Sequence, residues 1–557
     1  MAAIPFRANL LTEGFPFNVG NMGQTVIVPR YEIDRSGGSE DRNSLTPQAY
    51  YMHNVIPTQY GYQTPRFVEM INAPGGGHTG FMDVLEIYNS ASAGNPLTKQ
   101  YIGCVFTSAG LTAANPVRYF FAGVQGSYGS ENWQNFGYTG SRGTTIPGFA
   151  GFQYSAYVNG RNFIAPGNVG AIYEVNFNVQ TIGTVSTNVG VAFNGICAAS
   201  GYLIGWTVED SSVYWSSTSN PADFAPSQVT GAGGGGVQEA RGRIVCCVGV
   251  LGGFYICTSN NIVFAAYTGN ARYPFQFKEV KGAAGIGNQY QVASDVGSEI
   301  AFILSSAGLM MLQGDTAQLV EPDLQAFLFS GRLEYYDTAT HAFVSTSVDP
   351  NSLYTRLAFV CKRYLAISYG PTVPTASTSG TVGIYSYDYA LIYDTVLKRW
   401  GKLKLAHTKI FTQSFDIVTG ISSIAGYRDY IGVLLNSGQT YMLNMEIIPT
   451  TAALINTIDF DKVLILGKYQ LDRGSFSKLN MVSVDGNLDS SIAVRDYYSY
   501  DGNNKAGIGL GFIDLSPTAT HKTYNFDVPA LNHSLVLTGY FNLVNLISEY
   551  IDVGDQE

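Results

Sequence analysis

Charged side chains are scarce in this sequence. Only 13% of its 557 residues are Asp, Glu, Lys or Arg, and 41 acidic residues outnumber 31 basic ones, for a net charge of −10. Affinity for nucleic-acid phosphates comes mostly from clusters of Lys and Arg. The composition therefore argues against a surface that grips nucleic acid.

Recognisable catalytic and metal-binding motifs are also missing. No Gly-x-Ser-x-Gly elbow, Walker lysine or His-Glu-x-x-His pattern occurs. A glycosidase needs two carboxylates at a distance that the fold sets and the sequence does not show. A pair such as Asp83 and Glu86 therefore cannot be nominated from the sequence alone. We therefore expect no enzymatic activity, no catalytic residues, no metal site and no cofactor. The six histidines are scattered: His53, His78, His341, His407, His521 and His533.

Long apolar runs are absent, and cysteines are few. No run reaches the roughly 18 to 20 residues that span a bilayer, and residues 1–17 show no secretory signal pattern. The six cysteines fall mostly within apolar strand-like runs, where a free thiol behaves as a small buried hydrophobe. Cys246 and Cys247 are adjacent, so they point to opposite faces of a strand and cannot share a metal. We expect free thiols made in a reducing compartment.

Glycine and aromatic residues are abundant instead. The 63 Gly, 38 Tyr and 31 Phe favour strands and turns over helices. A β-hairpin phrase, in which two apolar runs flank a short polar or glycine turn, recurs between residues 200 and 445. It occurs at 201–215, 243–264, 299–312 and 430–443. Such repetition indicates small sheets stacked radially or linearly.

The pattern divides the chain into three parts. Residues 1–62 are polar and punctuated by proline, which indicates an extended N-terminal arm. Residues 63–450 are predicted to form a β-propeller of short antiparallel hairpin blades, within which Asn159 and Gly160 give the strongest hairpin signal. Residues 451–557 are predicted to form a smaller β-sandwich-like unit. The predicted fold class is all-β.

One phrase, residues 213–226 (VYWSSTSNPADFAP), carries more than a general β pattern. It is a strand that ends in Tyr214 and Trp215, followed by an Asx-type turn at Asp223 with Phe224 tucked inward. These are expected to be blade-core and turn residues. A buried Trp215 would make Trp215→Ala cost about 3 to 5 kcal/mol.

Two later phrases continue the series. Residues 305–312 (SSAGLMML) form a hairpin around Gly308, and residues 390–403 (ALIYDTVLKRWGKL) form a strand, a turn at Asp394 and a strand with Trp400. Between the first phrase and these lies the glycine cluster 231–236, which no Gly-Lys-Ser/Thr follows. This cluster indicates a turn or a close backbone approach rather than a phosphate loop.

In this order, the phrases resemble the tail nozzle and head-to-tail stabilisation (tail hub) proteins of short-tailed bacteriophages, a β-propeller family. There, a "WS…P.DF" phrase precedes blade hairpins, and a "YD…W" blade follows; the match covers about residues 200–445. The unusual N-terminal arm and the cysteine-rich run around Cys246 leave the subfamily open.

The resemblance implies a structural virion protein, made in the host cytoplasm and located in the virion tail. It would form a ring, usually of six copies, below the portal or adaptor ring. That ring encloses the channel through which double-stranded DNA passes without specific binding, and it carries a fibre, spike or needle. An acidic chain suits such a conduit, because like charge weakens adhesion to phosphates.

A different class of function stays open. Propellers can house glycosidases, and exposed tyrosines can bind sugars, so the alternative is a carbohydrate-binding or glycoside-hydrolysing propeller that acts at a host surface. Assembly state separates the two hypotheses: a large ring favours the nozzle, and a monomer with a sugar-dependent thermal shift favours the alternative.

Overall fold

The chain folds almost entirely into antiparallel β-strands, which confirms the predicted all-β class. Among the described residues, no helix is long and apolar enough to cross a membrane. The structure is a computed structural model. It describes residues 4–7, 10, 26–28, 49–72, 81–89, 98–106, 117–122, 131–132, 134–135, 137–138, 145–146, 153–167, 171–176, 181–208, 211–322, 324, 328, 332–337, 342–347, 355–372, 386–417, 426–444, 457–458, 460–471, 476–499, 506–510, 512–513 and 520–554.

The described strands between residues 66 and 444 build seven small sheets, the blades of a β-propeller. The first three, from the centre outward, are blade 1 (Phe81–Asn89, Thr98–Phe106, Val117–Ala122, with Gln134–Asn135 and Thr145–Ile146), blade 2 (Gln153–Val158, Arg161–Pro166, Tyr173–Asn176, Thr181–Thr184, with Gly137–Tyr138) and blade 3 (Gly195–Ala199, Tyr202–Trp206, Ser212–Trp215, Gly233–Gly236).

Four further blades complete the ring, with a two-stranded hairpin, Arg332–Asp337 and Ala342–Ser347, between blades 5 and 6. They are blade 4 (Ile244–Val250, Gly253–Thr258, Ile262–Tyr267, Phe275–Glu279), blade 5 (Val292–Ser294, Ile300–Ser305, Gly308–Gln313, Thr316–Glu321), blade 6 (Arg356–Val360, Tyr364–Thr372, Ser386–Asp394, Arg399–His407) and blade 7 (Lys409–Ile417, Gly426–Leu434, Thr440–Asn444, Arg66–Asn72, with Glu131–Asn132 and Thr457–Ile458). The 3-10 turn Gln289–Gln291 precedes blade 5.

The ring closes by combining two distant parts of the chain in blade 7. Its outer strand, Arg66–Asn72, pairs antiparallel with Thr440–Asn444, so that Phe67 lies opposite Leu443. The inner strand of blade 7 in turn contacts the inner strand of blade 1. Because the N-terminal strand completes the last blade, opening the ring would break a ladder of backbone hydrogen bonds as well as side-chain packing.

Local sequence explains the tightest turns of the blades. Asn159 and Gly160 connect the first two strands of blade 2 with φ of 50° and 78°, and Val158 pairs directly with Arg161. Two consecutive positive φ values define the type I′ turn that Asn-Gly favours. The predicted hairpin is therefore confirmed.

The glycine cluster forms a strand rather than a turn. Gly233–Gly236 pairs with Ser212–Trp215 as the outer strand of blade 3. A Cβ atom at Gly234 would overlap the Tyr214 ring, and one at Gly233 would lie 3.1 Å from the Trp215 ring. The glycines are needed because two large aromatic rings lie across this strand, which is the close approach that the sequence suggested.

The smaller β-sandwich-like unit is built from both ends of the chain. Two sheets face each other across a shared core that includes Leu464 and Leu535 from one sheet and Leu479 and Leu543 from the other. One sheet contains Ile4–Arg7, Ile56–Pro57, Tyr62–Gln63, Phe476–Leu488, Phe512–Ile513, His521–Ala530 and Phe541–Gly554; the other contains Val26–Val28, Ala49–His53, Val463–Leu471, Ala493–Ser499, Ala506–Leu510 and Asn532–Thr538.

The described part of the predicted N-terminal arm joins this unit to blade 6. Strands Ala49–His53 and Tyr62–Gln63 pair with C-terminal strands of the two sheets. The Arg399 guanidinium of blade 6 donates to the carbonyl oxygens of Thr58, at 2.6 Å, and Gly61, at 2.8 Å. This segment therefore connects the propeller and the sandwich within one chain.

A buried ion pair lies in the sandwich core. His533 Nδ1 is 2.7 Å from Asp496 Oδ2, and its Nε2 is 3.1 Å from the carbonyl oxygen of Ser477 on the facing sheet. The Ser477 carbonyl and an ionised Asp496 carboxylate can only accept, so the geometry suits an imidazole that carries protons on both ring nitrogens. Burial would lower the pKa of His533, but the Asp496 carboxylate and these hydrogen bonds raise it above its ordinary value.

This pair makes part of the stability pH-dependent. A raised histidine pKa contributes stability that is complete below the unfolded pKa of about 6.5 and is lost as pH rises through the folded pKa. We expect His533→Asn to destabilise the protein more at pH 6 than at pH 9. Urea unfolding at both pH values measures this difference. His521→Asn, at a ring that is half exposed, is the matched control. An equal loss at both pH values for His533→Asn would show that the ring is not charged.

Candidate functional site

The inner strands of the blades surround a central well. It has a volume of about 470 Å³ and is lined by residues of all seven inner strands. Pockets of this size, with convergent polar groups, are the default candidates for ligand binding. The well is therefore the first place to look for function.

A buried charge cluster lies at one end of the well. Here Asp83 accepts from Arg356 Nη2 at 3.0 Å and from Lys409 Nζ at 2.5 Å. The three residues come from blades 1, 6 and 7, and each stands at or near the start of its inner strand. The Arg356 guanidinium also lies 5.4 Å from the centre of the Tyr290 ring. The cluster thus ties together the blades at which the ring closes.

The ionisation of Asp83 follows from its two cationic neighbours. Its side chain is 2% exposed, and burial by itself would raise its pKa. The charges of Arg356 and Lys409, and their hydrogen bonds, lower the pKa below its ordinary value instead. Asp83 is therefore a carboxylate whose charge depends on both partners.

The wall of the well has a polar side. On blades 1 and 2, half-buried Glu86, Tyr88 and Tyr157 line it, and the two tyrosine rings lie 5.3 Å apart. The Glu86 carboxylate accepts from the backbone N–H of Thr412, at 3.2 Å. Blades 3, 4 and 6 contribute small apolar groups to the lining: Ala198, Val248 and Ala358. The lining of the well therefore combines aromatic and acidic groups with small apolar ones.

The other end of the well is rimmed by tight turns. Gly201, Gly252 and Gly297 turn between the first two strands of blades 3, 4 and 5 with φ between 71° and 84°. Beside them, Leu251 and Val296 are each 60% exposed. Exposed apolar side chains therefore stand at this end of the well, and the charge cluster lies at the other.

The described residues offer no metal centre: they contain no cluster of three or more His, Cys, Asp or Glu side chains suited to one. Five of the six cysteines are buried and free, and Cys361 is half-buried, as expected for small hydrophobes. Cys246 lies opposite Cys257 in blade 4. A hydrogen bond that the Cys246 thiol donates to Cys257, together with burial, raises the pKa of Cys246, so this thiol stays protonated at neutral pH.

The predicted motif residues of blade 3 stabilise that blade and its neighbour. Asp223 Oδ1 accepts from the N–H of Ala225 at 3.1 Å, which is the Asx turn. Phe224 is fully buried, and its ring lies 4.9 Å from that of Phe193. Tyr214 packs edge-to-face on the same Phe193 ring. These residues hold the 216–226 turn against blade 2.

Trp215 departs from its expected burial. It is half-buried rather than enclosed, and its indole N–H donates to the Gly231 carbonyl at 2.9 Å. The fully buried tryptophan of blade 3 is Trp206, on the neighbouring strand. Trp206 lies nearer the propeller axis, where both faces of the blade are covered.

The motif residues of blades 5 and 6 also serve turns and packing. Gly308 has φ of 112°, and a Cβ there would lie 3.1 Å from the Glu321 carbonyl oxygen. Asp394 is fully buried, accepts two turn N–H groups and binds Arg363 Nε at 3.0 Å. Trp400 is 2% exposed and packs on Tyr393. The seven motif residues lie on blades 3, 5 and 6, and the structure does not gather them at one site.

The charge cluster of Asp83, Arg356 and Lys409 is the feature that sequence reasoning missed. The sequence offers Asp83 and Glu86 only as an unsupported carboxylate pair, and no motif singles out Arg356 or Lys409. The available signal was a charged residue at the start of an apolar inner strand, as in Phe81–Asn89 and Arg356–Val360. Their meeting depends on ring closure between distant parts of the chain, which no local pattern reveals.

Comparison with known proteins gives distant likenesses. No protein-family model and no curated protein matches the chain. Among solved structures, YCF48 from Cyanidioschyzon merolae is 9% identical with a TM-score of 0.33, covering 68% of this chain and 99% of its own. Sqt1 from Saccharomyces cerevisiae is 10% identical with a TM-score of 0.29, covering 71% of this chain and 100% of its own. A glycoside hydrolase is 8% identical with a TM-score of 0.23, covering 86% and 100%. At these scores, the likenesses carry no argument about function.

Proposed function

We propose that this chain is a structural protein of the tail of a short-tailed bacteriophage, a nozzle subunit. In this proposal, about six copies form a ring below the portal or adaptor ring, continue the DNA ejection channel and carry a fibre, spike or needle. The observation that carries it is the order of the motif phrases along blades 3, 5 and 6. The residues in them, from Tyr214 to Trp400, stand at the turns and packing contacts that define those blades.

The architecture supports a role in assembly. The well within each propeller has a volume of only about 470 Å³, so DNA would pass between copies rather than through a propeller. A conduit made by several copies requires a ring. The net charge of −10 suits a channel wall that does not hold DNA.

The assembly state tests the proposal. We expect native mass spectrometry of the purified protein, at micromolar concentration, to show a ring of about six copies, and electron microscopy to show a central opening. The protein should also be present in purified phage particles, at the tail. A strictly monomeric protein that is absent from particles would contradict the proposal.

A second candidate is a carbohydrate-binding propeller. The observation that favours it is the polar wall of the well, where the Tyr88 and Tyr157 rings stand beside the Glu86 carboxylate. Aromatic rings offer apolar faces to sugar rings, and a carboxylate accepts from hydroxyl groups. In this case, a monomer should gain several degrees in melting temperature with bacterial surface glycans, and Tyr157→Ala should abolish the gain.

A further inference from the structure

The exposed apolar side chains of the propeller are concentrated on one face. We define the lower face as the end of the propeller that carries the turns between the first and second strands, and between the third and fourth strands, of blades 3 to 6. Nine large apolar side chains are exposed in the described part of the chain, and six of them lie on this face. They are Val229, Leu251, Tyr267, Tyr273, Val296 and Val396, with exposures from 41% to 92%.

Hydrogen bonds join the turns between the first and second strands of blades 4, 5 and 6 on the lower face. The N–H of Leu251 in blade 4 donates to the carbonyl of Ser298 in blade 5, at 2.7 Å. The N–H of Lys362 in blade 6 donates to Asp295 Oδ2 in blade 5, at 2.8 Å. Because the inner turns of blades 4, 5 and 6 are held together in this way, Leu251 and Val296 belong to one surface. An exposed apolar surface of this kind marks an interaction site.

The charge of the lower face has the opposite sign to that of the chain. In the described turns of blades 3 to 6, the exposed ionisable side chains are Arg272, Lys362 and Lys398, against Glu299. The chain as a whole carries ten more acidic than basic residues. The lower face is therefore a basic and apolar surface on an acidic protein.

A surface of complementary character lies on the sandwich. We define the acidic face as the outer side of the sheet that contains Phe476–Leu488, His521–Ala530 and Phe541–Gly554. Its members are the acidic Asp485, Asp527 and Glu549, the basic Lys478 and His521, and Val544, which is 43% exposed. The side chains of Asp485 and Asp527 are 36% and 81% exposed. Lys478 is paired with Asp527 and His521 with Asp485, so the acidic face carries two more carboxylates than lysines.

We propose that the lower face of one copy docks on the acidic face of a second copy. This inference rests on the proposed ring and names the surfaces that build it. The contact is head-to-tail, because each copy uses two different surfaces, and such contacts generate a ring when the rotation between copies closes. Leu251, Tyr273 and Val296 supply the apolar part, and Arg272 and Lys362 meet the carboxylates of the neighbour.

Charge reversal on each face tests this contact. One variant combines Arg272→Glu and Lys362→Glu, and another combines Asp485→Lys and Asp527→Lys. Each variant alone should associate at least tenfold more weakly than the wild type in native mass spectrometry and sedimentation. An equimolar mixture should recover assemblies in which the two variants alternate, because each reversed face then meets its opposite.

The controls separate this inference from the proposed function. Arg243→Glu with Lys278→Glu makes the same charge change at exposed positions of blade 4 outside the lower-face turns, and it should assemble like the wild type. If the wild type forms a ring and both face variants form it equally well, the docking inference is overturned and the nozzle proposal stands. A wild-type protein that stays monomeric up to about 100 µM would overturn both. A mixture that does not recover assembly would show that the two faces do not meet.

Discussion

Replacing Asp83 with alanine is expected to lower the free energy of unfolding by about 3 to 5 kcal/mol, because Arg356 and Lys409 would keep buried charges without their shared carboxylate. The side chain of Arg356 is 7% exposed and that of Lys409 is 20% exposed. Water would therefore screen the unpaired charge of Arg356 only weakly. Chemical unfolding followed by circular dichroism measures the loss. Asp83→Asn should be less harmful than alanine, since it keeps the volume and one acceptor oxygen.

Two controls define what the cluster contributes. Asp527→Ala removes an exposed carboxylate that is also paired with a lysine, and it should cost under about 1 kcal/mol. The triple variant Asp83→Leu, Arg356→Met and Lys409→Met should recover much of the stability lost in Asp83→Ala, because no buried charge is left unpaired. A loss in Asp83→Ala no larger than that in Asp527→Ala would mean that solvent reaches the cluster.

Replacing Trp206 with alanine is expected to cost about 3 to 5 kcal/mol as well, through a cavity in blade 3. The indole is fully buried and meets the Tyr154 ring edge-to-face, with centroids 4.9 Å apart. It also fills the space above Gly195, where a Cβ would overlap it. Because the indole packs between two blades, a shift of one blade alone cannot fill the cavity that its removal leaves.

Trp215→Ala is the matched comparison. Because Trp215 is half-buried, its truncation should cost less than that of Trp206, although it also removes the hydrogen bond to Gly231. Trp206→Phe should be tolerated better than alanine, since the indole N–H of Trp206 is buried without a hydrogen-bond partner. Melting curves of the three variants side by side measure the order. Equal losses at Trp206 and Trp215 would contradict this account of blade 3.

Much of the fold was predictable because its signals are local. Strand composition, the Asn-Gly turn at residues 159–160 and the Asx turn at Asp223 depend on residues only a few positions apart. Burial was harder to predict. Trp206 and Trp215 both stand on strands of blade 3, and only their distance from the propeller axis makes one enclosed and the other half-exposed.

The candidate site was not predictable in the same way. Asp83, Arg356 and Lys409 are brought together by ring closure, which places the first blade beside the last. The number of blades also depends on closure, because the strand that completes blade 7 precedes blade 1 in the chain. A hairpin pattern indicates that blades exist but does not say where the ring ends.

The sequence by itself determined an all-β chain of repeated hairpins, its main turns, and the motif order that suggests a phage tail protein. Those features reside in residues that are close together, whose backbone preferences and alternating apolar pattern act before any long-range contact forms. Only the tertiary structure decided the seven-bladed ring, the charge cluster at one end of its well, and the opposite character of the lower and acidic faces. These arise where residues hundreds of positions apart meet, and sequence separation carries no information about which of them will do so.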